Sequence, residues 1–130
     1  MTALGRVEWI RIRSPRGRGK WSSPLEAKLD TGADWSRIGA EQAADLRLGP
    51  ILKVHVITTS SGAKENRVRV PARVLINGVD VHTHFVVSTG KENVIIGLNT
   101  RKELSQQSRF RIDPTRKHLG KTGRAKQTER

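Results

Sequence analysis

The strongest constraint on the fold is a run of alternating apolar residues on both sides of Asn77-Gly78. Five apolar side chains occupy every second position before this dipeptide: Val68, Val70, Ala72, Val74 and Ile76. Four more follow it in phase: Val79, Val81, Phe85 and Val87. Successive side chains of a strand point to opposite faces, and Asn-Gly favours the tight turn of a two-residue hairpin. The sequence therefore predicts a long antiparallel hairpin with one buried face.

Shorter apolar runs elsewhere predict a series of further strands. They lie at residues 7–13, 25–31, 51–59 and 109–113, with the short apolar run Val-Ile-Ile-Gly at 94–97. Helical spacing is confined to residues 39–49 and a short stretch at 99–104. Many short strands with one or two short helices predict an all-β, barrel-like domain.

The charge of the chain is concentrated at its two ends. Lys and Arg number 25 against 12 Asp and Glu, a formal net charge of +13. Residues 6–20 and residues 114–130 each contain six basic side chains and one acidic side chain. Such fields favour acidic partners, including RNA, the ribosome or an acidic protein, although they also simply keep a small domain soluble. Because residues 114–130 contain little to bury, we expect residues 1–113 to form the domain and residues 114–130 a basic, flexible tail.

Composition also excludes several classes of chemistry and location. The chain has no cysteine, so it has no disulfide, no thiolate zinc site and no cysteine nucleophile. It has no apolar run of 18 residues and no secretory leader, which predicts a soluble, cytoplasmic protein without a membrane partner. The phosphate-binding pattern Gly-x-x-x-x-Gly-Lys-Ser/Thr is missing, so ATP binding has no support.

One short stretch has the composition of a catalytic loop. The predicted strand 25–31 ends in Asp30-Thr31-Gly32, which is followed by Ala33 and Asp34. Glycine permits tight backbone geometry, threonine supplies a hydroxyl for cross-bonding, and a carboxylate here is reactive if a second carboxylate lies beside it. Two such groups share one proton, so that one acts as base and the other as acid. Asp-Thr-Gly is also an ordinary turn sequence, and both interpretations stand at this point.

The surroundings of this loop resemble the retropepsin-like aspartic proteases. The stretch LDTGADWSRI resembles their active-site motif, and NVIIGLNTRKEL, about 65 residues later, resembles their second hallmark. Between them, TTSSGAKEN occupies the place of the flap that closes over substrate. The stretches GRVEWIRI and FRIDPTRKHL are similar to a small bacterial branch labelled putative ATP-dependent zinc proteases, which is associated with ligases that glutamylate a ribosomal protein.

The resemblance implies a retropepsin-like closed β-barrel, one lobe per chain, with aspartic endopeptidase activity. It implies that Asp30 is catalytic, that Thr31 braces two active-site loops and that Gly32 contacts substrate through its backbone. The remaining implied positions are substrate-binding or flap residues, Ala33, Asp34, Ser60, Ser61 and Gly62, and the structural hallmark residues Gly97 and Asn99. No metal and no cofactor is expected.

The resemblance leaves one carboxylate missing and one position changed. The other aspartates are Asp34, Asp45, Asp80 and Asp113, none of them in a second Asp-Thr/Ser-Gly. The partner of Asp30 must then come from a second copy of the chain, which predicts a two-fold homodimer. The family pattern has an arginine where this chain has Leu98, and Arg101 is a candidate replacement.

Two alternatives complete the sequence-based hypotheses. His82 and His84 lie on one face of a predicted strand and could meet His55 at a zinc ion, but two histidines at this spacing are more often plain strand residues. The chain could also be a non-catalytic binding module whose basic ends dock on RNA, the ribosome or an acidic protein.

Overall fold

A computed structural model of the chain describes residues 2–16, 20–89 and 93–122. Within these residues the chain forms nine strands and two short helices. The strands are β1 (Thr2–Gly5), β2 (Val7–Arg13), β3 (Leu25–Leu29), β4 (Arg37–Gly39), β5 (Lys53–Thr58), β6 (Lys64–Ile76), β7 (Val79–Ser88), β8 (Val94–Ile96) and β9 (Phe110–Asp113). The helices are α1 (Ala40–Asp45) and α2 (Leu98–Ser105).

Six of the strands close on one another into a barrel. In the described residues the order is β2-β3-β8-β4-β7-β6, and β2 pairs again with β6 to complete the ring. β5 continues from this barrel as an arm that pairs with β6. Closure leaves the barrel strands without free edges, and their inward side chains fill the interior. The predicted all-β closed barrel with short helices is confirmed.

The alternating apolar residues on both sides of Asn77-Gly78 form the β6–β7 hairpin. These strands pair antiparallel from Ile76↔Val79 to Arg69↔Val86, and Asn77 and Gly78 both have positive φ angles, as the two-residue turn requires. Of the nine predicted inward residues, six are buried in the barrel, namely Val70, Ala72, Val74, Ile76, Val81 and Phe85, and the other three, Val68, Val79 and Val87, are partly buried against it. Leu104 of α2 packs into the same core, so α2 covers one end of the barrel.

Some sequence-based boundaries are wrong. The predicted helix 39–49 is only α1, because the chain leaves helical geometry at Arg47, whose φ angle is +52°. β1 and β4 have no alternating pattern of their own and were not predicted. β1 pairs in parallel with β9, more than 100 residues away, which puts the two terminal strands together.

The predicted tail is packed on the domain as far as the structure describes it. Glu8 is only 1% exposed, and its carboxylate accepts hydrogen bonds from the backbone N–H groups of Gly5, Leu119 and Gly120 at 2.6, 2.8 and 2.9 Å. The Thr122 hydroxyl accepts a further bond from the Gly78 N–H. Residues 114–122 thus differ from the flexible tail that their composition predicted, because a buried carboxylate satisfies their backbone donors. Residues 123–130 lie outside the described residues.

Candidate active site

Asp30 lies where β3 ends beside β8. Its backbone N–H donates to the Ile96 carbonyl at 3.1 Å, and its carbonyl accepts from the Ala33 N–H at 3.2 Å. One carboxylate oxygen accepts a bond from the Gly32 N–H at 2.9 Å. The loop therefore turns tightly around Asp30 and fixes the orientation of its half-buried carboxylate. Thr31 and Gly32 are exposed, so in a single chain the Thr31 hydroxyl faces solvent.

The start of α2 is bonded to the loop that follows Asp30. The N–H groups of Leu98 and Asn99 donate to the carbonyls of Ala33 and Asp34 at 2.9 and 3.1 Å. The first N–H groups of a helix have no partner within the helix, so these loop carbonyls satisfy them. The predicted hallmark thus supports the Asp30 loop from behind.

Gly97 allows these two segments to cross in close contact. A Cβ atom at this position would lie 2.5 Å from the carbonyl carbon of Trp35 and 2.8 Å from the Ser36 nitrogen. Ordinary contacts between carbon atoms are about 3.5–4.0 Å. Any side chain larger than hydrogen would therefore push α2 away from the loop.

A buried polar network holds Asn99 in place. Its side-chain oxygen accepts a bond from the Ser36 N–H at 2.8 Å, and its amide donates to the His84 carbonyl at 2.9 Å. The Ser36 hydroxyl accepts from the Gly97 N–H at 2.9 Å and bonds Thr100, which in turn bonds Thr83 at 2.6 Å. Sequence reasoning did not single out Ser36, although the serine or threonine position of the Asp-Thr-Gly motif marks it.

Arg101 contacts the backbone of the loop and not the side chain of Asp34. One guanidinium nitrogen of Arg101 lies 3.5 Å from the Asp30 carbonyl oxygen. Asp34 is exposed, and within the described residues its carboxylate forms no ion pair. Within one chain, Arg101 therefore does not take the place of the arginine that the family pattern has at the position of Leu98.

The predicted flap is the hairpin formed by β5 and β6. Its tip is closed by hydrogen bonds from the Thr59 N–H to the Ala63 carbonyl and from the Gly62 N–H to the Thr59 carbonyl, at 2.8 and 2.9 Å. Gly62 has a φ angle of +87°, a region that favours glycine. Ser60, Ser61 and Gly62 are exposed at this tip. The sequence placed them correctly on a turn between two strands.

An open cleft of about 320 Å³ lies between the Asp30 loop and the base of the flap. Its lining combines the predicted residues Ala33 and Asp34 with His55, which the sequence offered only as a zinc ligand, and with residues that sequence reasoning missed: Trp35, Arg37, Ile57, Arg67 and Val86. The His55 ring packs edge-on against Trp35 at 5.7 Å, and the Arg69 guanidinium lies 4.8 Å from the same indole ring. Burial lowers the pKa of His55, and the positive charges of Arg69 and Lys53 lower it further.

The remaining histidines do not assemble a metal site with His55. His82 is exposed opposite Arg73 on the outer face of the barrel, and His84 is half-buried opposite Pro71. In residues 2–16, 20–89 and 93–122, no group of three or more His, Cys, Asp or Glu side chains is arranged to hold a metal ion. The donor set therefore does not fit the zinc that the label of the bacterial branch implies, and no step is assigned to one.

Comparison with solved structures identifies the architecture. EIAV protease, in complex with the inhibitor HBY-793, superposes with a TM-score of 0.55 at 21% identity, covering 77% of this chain and 84% of that one. A Legionella pneumophila protein of unknown function gives 0.55 at 16% identity, with 90% and 96% covered. The retroviral protease-like domain of Ddi1 from Leishmania major gives 0.50 at 18% identity, with 78% and 77% covered. The chain has the retropepsin-like fold.

The likeness is one of fold. No protein-family model matches the sequence, and no curated protein matches it. In this retropepsin-like chain two other aspartates are engaged away from Asp30. Asp80 pairs with Arg73, which holds the pKa of that carboxyl below its usual range, and Asp113 bonds Thr115. No helix in the described part of the chain is long and apolar enough to cross a membrane.

Proposed function

We propose that this protein is an aspartic endopeptidase that acts as a homodimer, with one Asp30 from each copy. The observation that carries the proposal is the placement of Asp30 in a tight loop that α2 supports from behind, within a retropepsin-like fold. In the dimer one carboxylate takes a proton from a water molecule, whose oxygen attacks the scissile carbonyl. The other carboxyl group donates its proton to the carbonyl oxygen, and proton transfer to the leaving nitrogen completes hydrolysis.

Two surfaces of the single chain support self-association. Thr31 is exposed beside Asp30, where a second copy of the same loop would meet it. On the flap strand β5, Val54 and Val56 are 53% and 65% exposed, and Leu52 just before it is 46% exposed. Apolar side chains grouped in this way are typical of surfaces that a partner covers.

The charge of the cleft favours an acidic substrate. Arg37 and Arg67 line it against the single carboxylate of Asp34. Arg67 is partly neutralised by Glu65 at 3.1 Å, whereas Arg37 forms no ion pair within the described residues. We therefore propose an acidic or ribosome-associated protein as the substrate.

Membership of the small bacterial branch is part of the same proposal. Two of the segments that carry that resemblance contact each other. Trp9 stacks on His118 with ring centres 5.1 Å apart, and Glu8 binds the backbone of Leu119 and Gly120. The two segments that carry the resemblance therefore lie against each other in the fold.

The test is the variant Asp30→Asn, assayed against an acidic peptide library. We expect peptide cleavage to fall by roughly 10³-fold or more, as for loss of a group that acts directly in the chemistry, with an unchanged melting temperature. Asp45→Asn is the matched control, because Asp45 is exposed at the end of α1. Activity per chain should also fall on dilution, and added Asp30→Asn protein should inhibit the wild type by forming mixed dimers. Full activity in Asp30→Asn would refute the proposal.

The alternative is a non-catalytic binding module with the same fold. This alternative is favoured if the wild-type protein cleaves no peptide in the library but still binds RNA or an acidic protein through its basic side chains.

A further inference from the structure

Cationic side chains from three adjacent strands share the outer face of the barrel. On β2 the even-numbered residues are buried and the odd-numbered ones point outward, which puts Arg11 and Arg13 on this face. Arg13 lies directly opposite Arg73 of β6, and Val7 lies opposite Lys28 of β3. We call five of these side chains the basic sheet face: the outward-pointing Arg11, Arg13, Lys28 and Arg73, together with Trp21.

Two arginines of this face share one indole ring. The guanidinium carbons of Arg13 and Arg73 lie 5.5 and 5.4 Å from the centre of the Trp21 ring. Neighbouring strands are about 4.8 Å apart, so the two like charges are held close together. The ring and the ion pair between Arg73 and Asp80 offset their repulsion. The cluster is therefore organised before any anion arrives.

The acidic residues of the region neutralise one of its cations, Arg73, and leave the others without an ion pair in the described residues. Glu26 bonds His118 at 2.8 Å, and Asp80 is engaged by Arg73. Arg11, Arg13 and Lys28 form no ion pair within the described residues. Arg16 and Lys20, in the loop before Trp21, are exposed and add to the same charge.

We propose that the basic sheet face binds single-stranded RNA. Cations spaced along a strand, about 6.7 Å apart for every second residue, suit a chain of phosphates. The Trp21 indole among these cations favours nucleic acid over an acidic peptide, because unpaired bases stack on aromatic rings and carboxylates do not. This surface is built from strands and from a loop outside the Asp30 site, so the proposal stands apart from the peptidase function.

Binding is measured by fluorescence anisotropy with a labelled 15-nucleotide RNA of mixed sequence at 50, 100 and 200 mM KCl (about the range where counterion release is well resolved). For single-stranded nucleic acid, a plot of the logarithm of the binding constant against the logarithm of the salt concentration has a slope of about −0.7 for each neutralised phosphate. The three cations of the face without an ion pair, Arg11, Arg13 and Lys28, predict a slope near about −2.1, on the order of a 20-fold loss across the series. The double variant Arg11→Ala/Arg13→Ala should weaken binding by about tenfold and reduce the slope by about 1.4.

The matched control removes the same charge from elsewhere. Lys102 on α2 and Arg109 before β9 are exposed, and Lys102→Ala/Arg109→Ala should change affinity less than twofold. An equal loss of RNA affinity in both double variants would show that RNA is attracted by the overall positive charge and not by this face, and it would overturn the proposal. Trp21→Phe should retain binding, whereas Trp21→Leu should weaken it by about tenfold.

Competition separates the sources of negative charge. Unlabelled single-stranded RNA should compete at least tenfold better than duplex RNA of equal length and than a 15-residue polyglutamate (lengths chosen to be about equal in charge). Polyglutamate that competes as well as RNA would assign the face to an acidic protein and overturn the proposal. DNA of the same sequence that competes equally would overturn the choice of RNA. The same titrations with Asp30→Asn should give unchanged affinities.

Discussion

The crossing of α2 and the Asp30 loop yields the sharpest prediction, the effect of Gly97→Ala. The added Cβ would lie 2.5 Å from the Trp35 carbonyl carbon and 2.7 Å from its oxygen, both backbone atoms that no side-chain rotation can move. An ordinary contact of about 3.5 Å requires the two segments to separate by about 1 Å. The φ angle of −95° is available to alanine, so the effect comes from this contact.

The magnitude follows from the hydrogen bonds that such a shift stretches. Two short bonds cross this contact, from the Leu98 N–H to the Ala33 carbonyl and from the Gly97 N–H to the Ser36 hydroxyl, each 2.9 Å. A separation of about 1 Å takes both beyond hydrogen-bond range, and each buried donor left without a partner costs about 1–3 kcal/mol. We expect the free energy of unfolding to fall by about 2–6 kcal/mol, and the melting temperature by roughly 8–24 °C.

The assay is thermal and urea unfolding at fixed protein concentration, with peptide cleavage measured below the transition. Cleavage should fall at least about tenfold, because small misplacements of catalytic groups are costly. Gly49→Ala is the control, since a Cβ there meets nothing within 4 Å. A Gly97→Ala protein within about 0.5 kcal/mol of the wild type would refute the argument that close approach requires glycine here.

Three further predictions concern charged groups. Glu8→Gln should lower the free energy of unfolding by about 1.5–3 kcal/mol, since an amide cannot accept from all three backbone donors, and should speed proteolysis after Lys117. Asp80→Asn should reduce the loss of stability on acidification, because Arg73 lowers the pKa of Asp80 in the folded protein. The stabilisation from the Asp80–Arg73 pair is therefore present above the ordinary carboxyl range near about 4 and is lost as the pH falls through the lower folded value. At this partly exposed site it amounts to less than about 1 kcal/mol. Arg69→Gln should raise the pKa of His84 in an NMR titration, because burial and then the Arg69 charge lower it; an unchanged value would assign the shift to burial alone.

Much of the fold follows from short-range pattern. The β6–β7 hairpin was predicted with its turn because alternation and Asn-Gly are local properties of the sequence. β1 and β4 were missed because their partners lie far away in the chain, β9 for one and β7 and β8 for the other. α1 ended early because the positive φ angle of Arg47 is not marked by a glycine.

The candidate site divides in the same way. The loop at Asp30 and the hallmark at Gly97 were found because each is a contiguous motif, and their contact followed from the resemblance. Most of the lining of the cleft, including Arg37 and Arg67, was not found, and His55 was considered only as a zinc ligand, since these residues come from strands that only the folded chain brings together.

The C-terminal segment shows most clearly what composition cannot reveal. Residues 114–122 are polar and basic, and nothing in them predicts burial. Their backbone N–H groups nevertheless need partners, and Glu8, over 110 positions away, supplies a buried carboxylate that accepts two of them. A buried charge is stable only when its hydrogen bonds are satisfied, so segment and carboxylate depend on each other. The one acidic residue in the basic segment 6–20 thus holds residues 119 and 120 against the first strands of the domain.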